Sequence, residues 1–242
     1  YFVDTCGAYL TAPKWNKGFK RGRVDANIIE LFSEDNYDNV TLDEIKSKID
    51  ECFKNSYDFN YVKGHDNYVY KKKNKAEGLE NVIRFCPKCN SFETIQTKDH
   101  QIYCESCDFS LTLNKKNYNF IEKDYFNNLG EYLDFNENKF NELIDNDLVL
   151  EDDAFVSEYE DVKLVDEYQT HVIMNKNEIS ITKDDKTLLF DLNKIINFSI
   201  TLGDSFEIPT STNIYHIKLS DGKRAINYWN YINRIKEKNE NK

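Results

Sequence analysis

The stretch that decides the reading runs from Cys86 to Cys107, CPKCNSFETIQTKDHQIYCESC, with Cys86-Pro-Lys-Cys89 at one end and Cys104-Glu-Ser-Cys107 at the other. Two residues between a pair of cysteines let both sulfurs of a tight knuckle face one ion, and two knuckles on neighbouring hairpins complete a tetrahedral four-cysteine site. Zn2+ is the expected occupant, and four thiolates leave no open position for substrate, so the role expected for Cys86, Cys89, Cys104 and Cys107 is structural. Asn90 and Asp108, which follow the knuckles, tolerate a left-handed backbone. Phe92, Thr94, Ile95, Ile102 and Tyr103 supply strand formers on either side of a polar Thr97–His100 turn. The pattern is that of a zinc ribbon. Disulfides would need an oxidising compartment, iron fits this spacing less well, and a thioredoxin-type role lacks its βαβ surroundings. His100, at the tip, is surplus to a complete ligand set.

Working outward, the chain divides by periodicity rather than by punctuation, since its 242 residues hold only 8 Gly and 3 Pro. On the N-terminal side, residues 1–12 read as a strand turning at Cys6-Gly7 and then a short extended piece ending at Pro13. Another strand is expected within Arg23–Phe32. Thr41-Leu-Asp-Glu44 is a capping-box pattern, and Leu42, Ile45, Ile49, Cys52 and Phe53 recur at helical spacing over 42–55. Cys52, on that apolar face, and Cys6 are read as core residues. Residues 56–80 form a polar, aromatic and basic connection, whose tyrosines 61, 68 and 70 either stack on nucleic-acid bases or, preferably, pack on the preceding helix. Beyond the cysteines, Leu129, Tyr132, Leu133, Phe140, Leu143 and Ile144 mark a helix over roughly 127–145. From Leu148 the period becomes two, with short β runs at 154–159, 162–165, 171–174, 178–182, 188–191, 195–202, 205–208 and 214–219. A final helix carries Ala225, Tyr228, Trp229, Ile232 and Ile235. Six or seven antiparallel strands and one helix predict a small barrel plugged by that helix, with Trp229 as core anchor.

Composition narrows the function classes. Apolar content of 40% with 14% aromatics requires packed cores. Asp and Glu number 43 against 32 Lys and Arg, a net charge of −11, which argues against a generic polyanion binder. The excess is local: thirteen acids and two lysines fall between Glu131 and Asp166, so the remainder is neutral. Within that remainder, Lys14, Lys17, Lys20, Arg21 and Arg23 stand in an acid-free stretch, and Lys71, Lys72, Lys73 and Lys75 precede the first knuckle. The bland reading of such runs is a solvated face; the functional one is contact with anionic headgroups or phosphates. No apolar run is long enough to span a bilayer, and no signal peptide is evident. The only short catalytic-looking spacing, His216-x4-Asp221, falls across a strand and turn of the β region and is read as coincidence. No residue is assigned a catalytic role.

Three segments carry a family resemblance. Gly7-Ala-Tyr-Leu-Thr-Ala-Pro-Lys-Trp15, Arg21-Gly-Arg-Val-Asp25 with the helix at Thr41-Leu-Asp-Glu-Ile45, and Ala76-Glu-Gly-Leu-Glu-Asn-Val82 leading into Cys86-Pro-Lys-Cys89 resemble the end of a 1-acylglycerol-3-phosphate (lysophospholipid) acyltransferase, in a long bacterial form with a zinc ribbon after the catalytic domain. The resemblance covers about residues 1–146, and the later β region looks like the pleckstrin-homology or GRAM type on element order alone. It implies an α+β, multidomain chain: the C-terminal end of an α/β acyltransferase domain (1–70), a linker and zinc ribbon (71–115), a linker helix (116–146) and a β-barrel module (147–242). The activity implied is acyl transfer from a thioester to a lysophospholipid in phospholipid biosynthesis, on the cytoplasmic side with peripheral membrane association. In that family a His-x4-Asp pair does the chemistry and a Glu-Gly block helps hold the phosphate, both upstream of the Gly7 segment. Glu77-Gly78 lacks the block's neighbours, and His216 lies in the wrong region. The chain alone is therefore expected to be inactive, meeting membrane, lysophospholipid and acyl thioester through a preceding domain. The alternative is a non-enzymatic zinc-ribbon adaptor for protein or nucleic acid, the nucleic acid disfavoured by charge.

Overall fold

The computed structural model describes residues 1–19, 21–55, 69–71, 73–184, 186–195 and 197–240. They fall into two compact units, Tyr1–Leu79 with Cys86–Leu133, and Glu80–Phe85 with Asp134–Lys242. The architecture is mixed α+β with antiparallel sheets.

In the first unit, strand β1 (Phe2–Cys6) pairs antiparallel with β2 (Asp25–Ile29). Gly7, at φ 85°, turns the chain, and residues Ala8–Thr11 then form a single helical turn, α1, where an extended piece was expected. The carbonyl of Tyr9 accepts from Ala12 N, which closes that turn. Helix α2 (Leu42–Asn55) begins on the expected capping box: Thr41 N donates to Glu44 Oε2 at 2.9 Å, and Glu44 N donates to Thr41 Oγ1 at 3.3 Å. None of its residues is buried, and Leu42 and Phe53 are exposed. Cys52 is thus half-buried rather than core, whereas Cys6 is buried as expected. Tyr61 and Tyr68 lie outside the described residues. Tyr70 is buried, its ring meets that of Tyr118, and its hydroxyl donates to Gly7 O at 3.4 Å.

The segments that carry the family resemblance pack on one another. Asn16 Nδ2 donates to the carbonyls of Asn74 (2.8 Å) and Glu77 (2.7 Å). Gly78, at φ +94°, lies so close to Trp15 that an added Cβ would stand 1.6 Å from its carbonyl oxygen. Only glycine satisfies both the left-handed backbone and that approach. Trp15 and Leu79 are buried, and the Trp15 ring meets Tyr118 edge-on.

The ribbon is a three-stranded antiparallel sheet in the order β3 (Ile95–Lys98), β4 (Gln101–Cys104), β5 (Ser110–Thr112). Asp99, at φ 54°, makes the tight turn between β3 and β4. Helix α3 (Leu129–Asp145) starts with Asn128 as cap, its Oδ1 accepting from Glu131 N at 3.1 Å.

The second unit holds seven strands: β6 (Leu150–Glu160), β7 (Lys163–Met174), β8 (Glu178–Lys183), β9 (Lys186–Asp191), β10 (Ser199–Thr201), β11 (Ser205–Pro209) and β12 (Asn213–Leu219). Their order is β10-β11-β12-β6-β7-β8-β9, so the first strand pairs with the last, and β9 and β10 form the edges. The expected barrel is therefore an open sheet. Among the described residues β9 pairs with β8 and β10 with β11. Leu192, Ile195 and Phe198, between the two edges, are buried, and β10 is only three residues long. Two of the expected runs, 162–165 and 171–174, merge into one strand because the intervening polar residues continue the alternation on the exposed face.

The closing helix α4 (Ala225–Glu240) packs on β10 and β11. Its anchor is Tyr228, not Trp229, which stays half-exposed. The Tyr228 ring stacks on Phe206 at 4.6 Å, and its hydroxyl donates to buried Asp152 at 2.9 Å. Arg224 Nε stands 2.7 Å from the other oxygen of Asp152 and forms an ion pair with it. A buried carboxylate needs such partners, because an uncompensated charge in this position costs several kcal/mol.

Candidate metal centre

Cys86, Cys89, Cys104 and Cys107 come together, with one sulfur from each lying within 4.8 Å of all the others. Cys86 Sγ is 3.6 Å from Cys107 Sγ, and Cys89 Sγ is 3.8 Å from Cys104 Sγ. Four thiolates around a tetrahedral ion at a metal–sulfur bond of about 2.3 Å stand about 3.8 Å apart. The donor set and its spacing fit a metal ion.

Backbone geometry builds each knuckle. Asn90 N donates to the Cys86 carbonyl at 2.9 Å and Cys86 N to Ser91 O at 3.0 Å, with Asn90 in the left-handed region at φ 56°, as its position requires. The second knuckle is closed by Cys104 N donating to Phe109 O at 3.1 Å. Asp108 does not adopt a left-handed backbone. Its carboxylate instead accepts from Lys88 Nζ at 2.5 Å, which links the two knuckles by an exposed ion pair.

Around the sulfurs the structure adds a ring of donors that cysteine spacing did not reveal. Thr94 Oγ1 lies 3.2 Å and Ser91 Oγ 3.6 Å from Cys104 Sγ, and Ser106 N donates to the same sulfur at 3.3 Å. Ser91 Oγ is also 2.9 Å from Cys89 Sγ. Burial alone would raise the Cys104 thiol, but these hydrogen bonds outweigh it and bring the value down to about 6. The Ser91 contacts likewise hold Cys89 below its ordinary value. Cys86 is buried with less hydrogen-bonding compensation and is pushed up to about 12, and desolvation also raises Cys107. The only trace of this ring in the sequence is a Ser two residues and a Thr five residues after Cys89. Tyr132 is buried against Phe109, Phe120 and Phe126 beside the cluster, and that burial raises its phenol.

A second feature missed in sequence is Lys75, read there as part of a basic run. It is fully buried, and its Nζ donates to the carbonyls of Lys115 (2.7 Å), Asn114 and Asn117 (3.4 Å each). Desolvation lowers it to about 8. Ala76 N donates to Asp99 O, tying this segment to the ribbon turn.

The other sequence candidates are engaged elsewhere. His216 Nε2 is 3.0 Å from Ser205 Oγ, a buried hydroxyl that itself donates to Asp204. Asp221 accepts from Lys223 N at the start of a short 3-10 turn. Glu77 accepts from Asn74 Nδ2 in the turn that holds Asn16. No helix among the described residues is long and apolar enough to cross a membrane. Comparison with protein-family models and with curated proteins returned no match.

Proposed function

We propose that these residues form the C-terminal, non-catalytic portion of a lysophospholipid acyltransferase, carrying a structural zinc site on Cys86, Cys89, Cys104 and Cys107. The observation that carries the reading is the packing of the resemblance segments: Gly78 against the Trp15 carbonyl, and Asn16 on the carbonyls of Asn74 and Glu77. Segments separated by about sixty residues of sequence share one core, as expected if they descend together from a single domain. Ala76 N donates to Asp99 O at 2.9 Å, so the ribbon turn is bonded to the segment that packs on Trp15. Bound zinc would act as a cross-link of four thiolates and supply no reactive position. In the second unit, a four-strand meander, a three-strand meander, first strand paired with last and a closing helix match the connectivity of the pleckstrin-homology and GRAM types, which supports that assignment.

On this reading the acyl-transferring His and Asp lie outside the 242 residues, and this chain shapes and steadies the enzyme that holds them. The test compares this chain with the complete gene product in an assay of acyl transfer from a thioester to lysophosphatidic acid. Transfer by the complete protein, with none by the chain alone, is expected. Turnover by the chain alone, or none by the complete protein, overturns the assignment.

A further inference from the structure

Three basic segments that are far apart in sequence converge on one surface of the first unit. The acid-free loop Pro13–Val24 is anchored at one end by buried Pro13, Trp15 and Asn16. At its other end Lys71 N donates to Arg21 O at 2.8 Å, and Gly22 lies against the Tyr70 ring. The residue before Lys71 is held in turn by Lys116, since Tyr70 N donates to Lys116 O at 2.7 Å. These backbone bonds bring Lys14, Lys17, Arg21, Arg23, Lys71, Lys73, Lys115 and Lys116 onto neighbouring segments, all of them exposed. Arg23 pairs with Asp25 at 2.7 Å.

At the tip of the anchored loop stands Phe19, 89% exposed, beside Gly18 at φ +79°. Val24 and Val69 are also exposed at the base. Exposed bases on adjoining segments, together with a protruding aromatic on one of them, match the two layers of an anionic bilayer surface, phosphates outside and acyl chains beneath. Double-stranded nucleic acid would use the charges but not the protruding aromatic, and a single strand, which could stack a base on Phe19, is the competitor that the test below sets against the vesicles. The acidic character of the whole chain does not oppose this, because the first 130 residues hold 20 acids and 19 bases.

We infer that this surface docks the protein on anionic lipid, with Phe19 inserted at the headgroup–acyl boundary and the lysines and arginines on phosphate. The inference stands on the patch itself and does not depend on the acyl-transfer reading. Flotation of the chain with vesicles of phosphatidylcholine alone, or with about one third phosphatidylglycerol, tests it. Binding is expected only to the anionic vesicles and should weaken as salt rises from about 0.05 to 0.5 M. Each base contributes about fivefold near such a surface, so K14S/K73S should lower partitioning about 25-fold. F19S should lower it about tenfold, and F19W should be quenched by brominated acyl chains. All these positions are exposed, and circular dichroism confirms that each variant is folded. Equal binding to neutral vesicles, no binding to either kind, F19S or K14S/K73S binding like the parent, or tighter capture of a single-stranded RNA at the same salt overturns the inference.

Discussion

Removing the metal should make the first unit take up protons. Two thiolates 3.6 Å apart, the separation of Cys86 and Cys107, repel by about 5 kcal/mol at an effective dielectric of about 20. Four of them cannot remain ionised together without a cation. The structure indicates where the protons go. Cys86 is held up at about 12 and Cys107 is also raised, whereas Cys104 lies at about 6 and Cys89 is lowered by Ser91. Chelation at neutral pH should therefore transfer about two protons per chain to the thiols, and acidification should release the ion, because its ligands must be deprotonated. A metallochromic dye would follow the released ion while a pH indicator in weak buffer counts protons. Near-ultraviolet circular dichroism would report the aromatic cluster of Phe109, Phe120 and Tyr132. The expected result is one zinc per chain, about two protons taken up and loss of the aromatic signal, since four bonds through one ion hold the two knuckles together. Purified protein containing no stoichiometric metal, or chelation without proton uptake, would refute the reasoning.

Thr94→Val removes a hydroxyl from Cys104 Sγ and should weaken metal affinity about tenfold or more, measured by competition with a chelator. Gly78→Ala places a methyl on the Trp15 carbonyl at φ +94° and should cost at least about 3 kcal/mol. A urea transition followed by Trp15 fluorescence in a Trp229→Phe background would measure it. In the second unit, Asp152→Ala should cost about 3 kcal/mol by leaving Arg224 without its buried partner, and Tyr228→Phe about 2 kcal/mol, in urea unfolding followed by circular dichroism. The Arg234 hydrogen bond, with Lys238 beside it, holds the Asp145 carboxyl below its ordinary 3.8. That contribution is complete above about pH 4 and fades as the pH falls through the lowered folded value. Because the pair is well exposed, Asp145→Asn should cost under about 1 kcal/mol at pH 7 and flatten the acid limb of a stability–pH curve.

Elements governed by local rules were legible from the residues. The Thr41–Glu44 capping box sets the start of α2, Asn90 supplies the left-handed residue of its knuckle, and period-two alternation from Leu148 marks the strand-rich region, although its first strand starts at Leu150, four residues before the expected run. Where several residues fit the same helical stripe, as Tyr228 and Trp229 do, periodicity could not choose between them. The choice fell to Tyr228 because its hydroxyl reaches buried Asp152, a partner 76 residues away. A closed barrel and an open sheet share the same alternation, so closure was decided by the three-residue β10 and the packing of Leu192, Ile195 and Phe198.

By itself the sequence determined which four cysteines come within reach of one ion, since two knuckles of fixed spacing are a local property of the backbone. It also determined the antiparallel, strand-rich character of the second half. Tertiary structure alone decided what surrounds these features. It placed Thr94 and Ser91 on the sulfurs, took Lys75 out of a basic run and buried it on three carbonyls, and joined the segments of Arg21, Lys71 and Lys116 into one surface. The physical reason is range. Knuckles, caps and strand alternation are set by backbone geometry over a few residues, whereas burial and charge clustering depend on which distant segments share a hydrogen bond or a core.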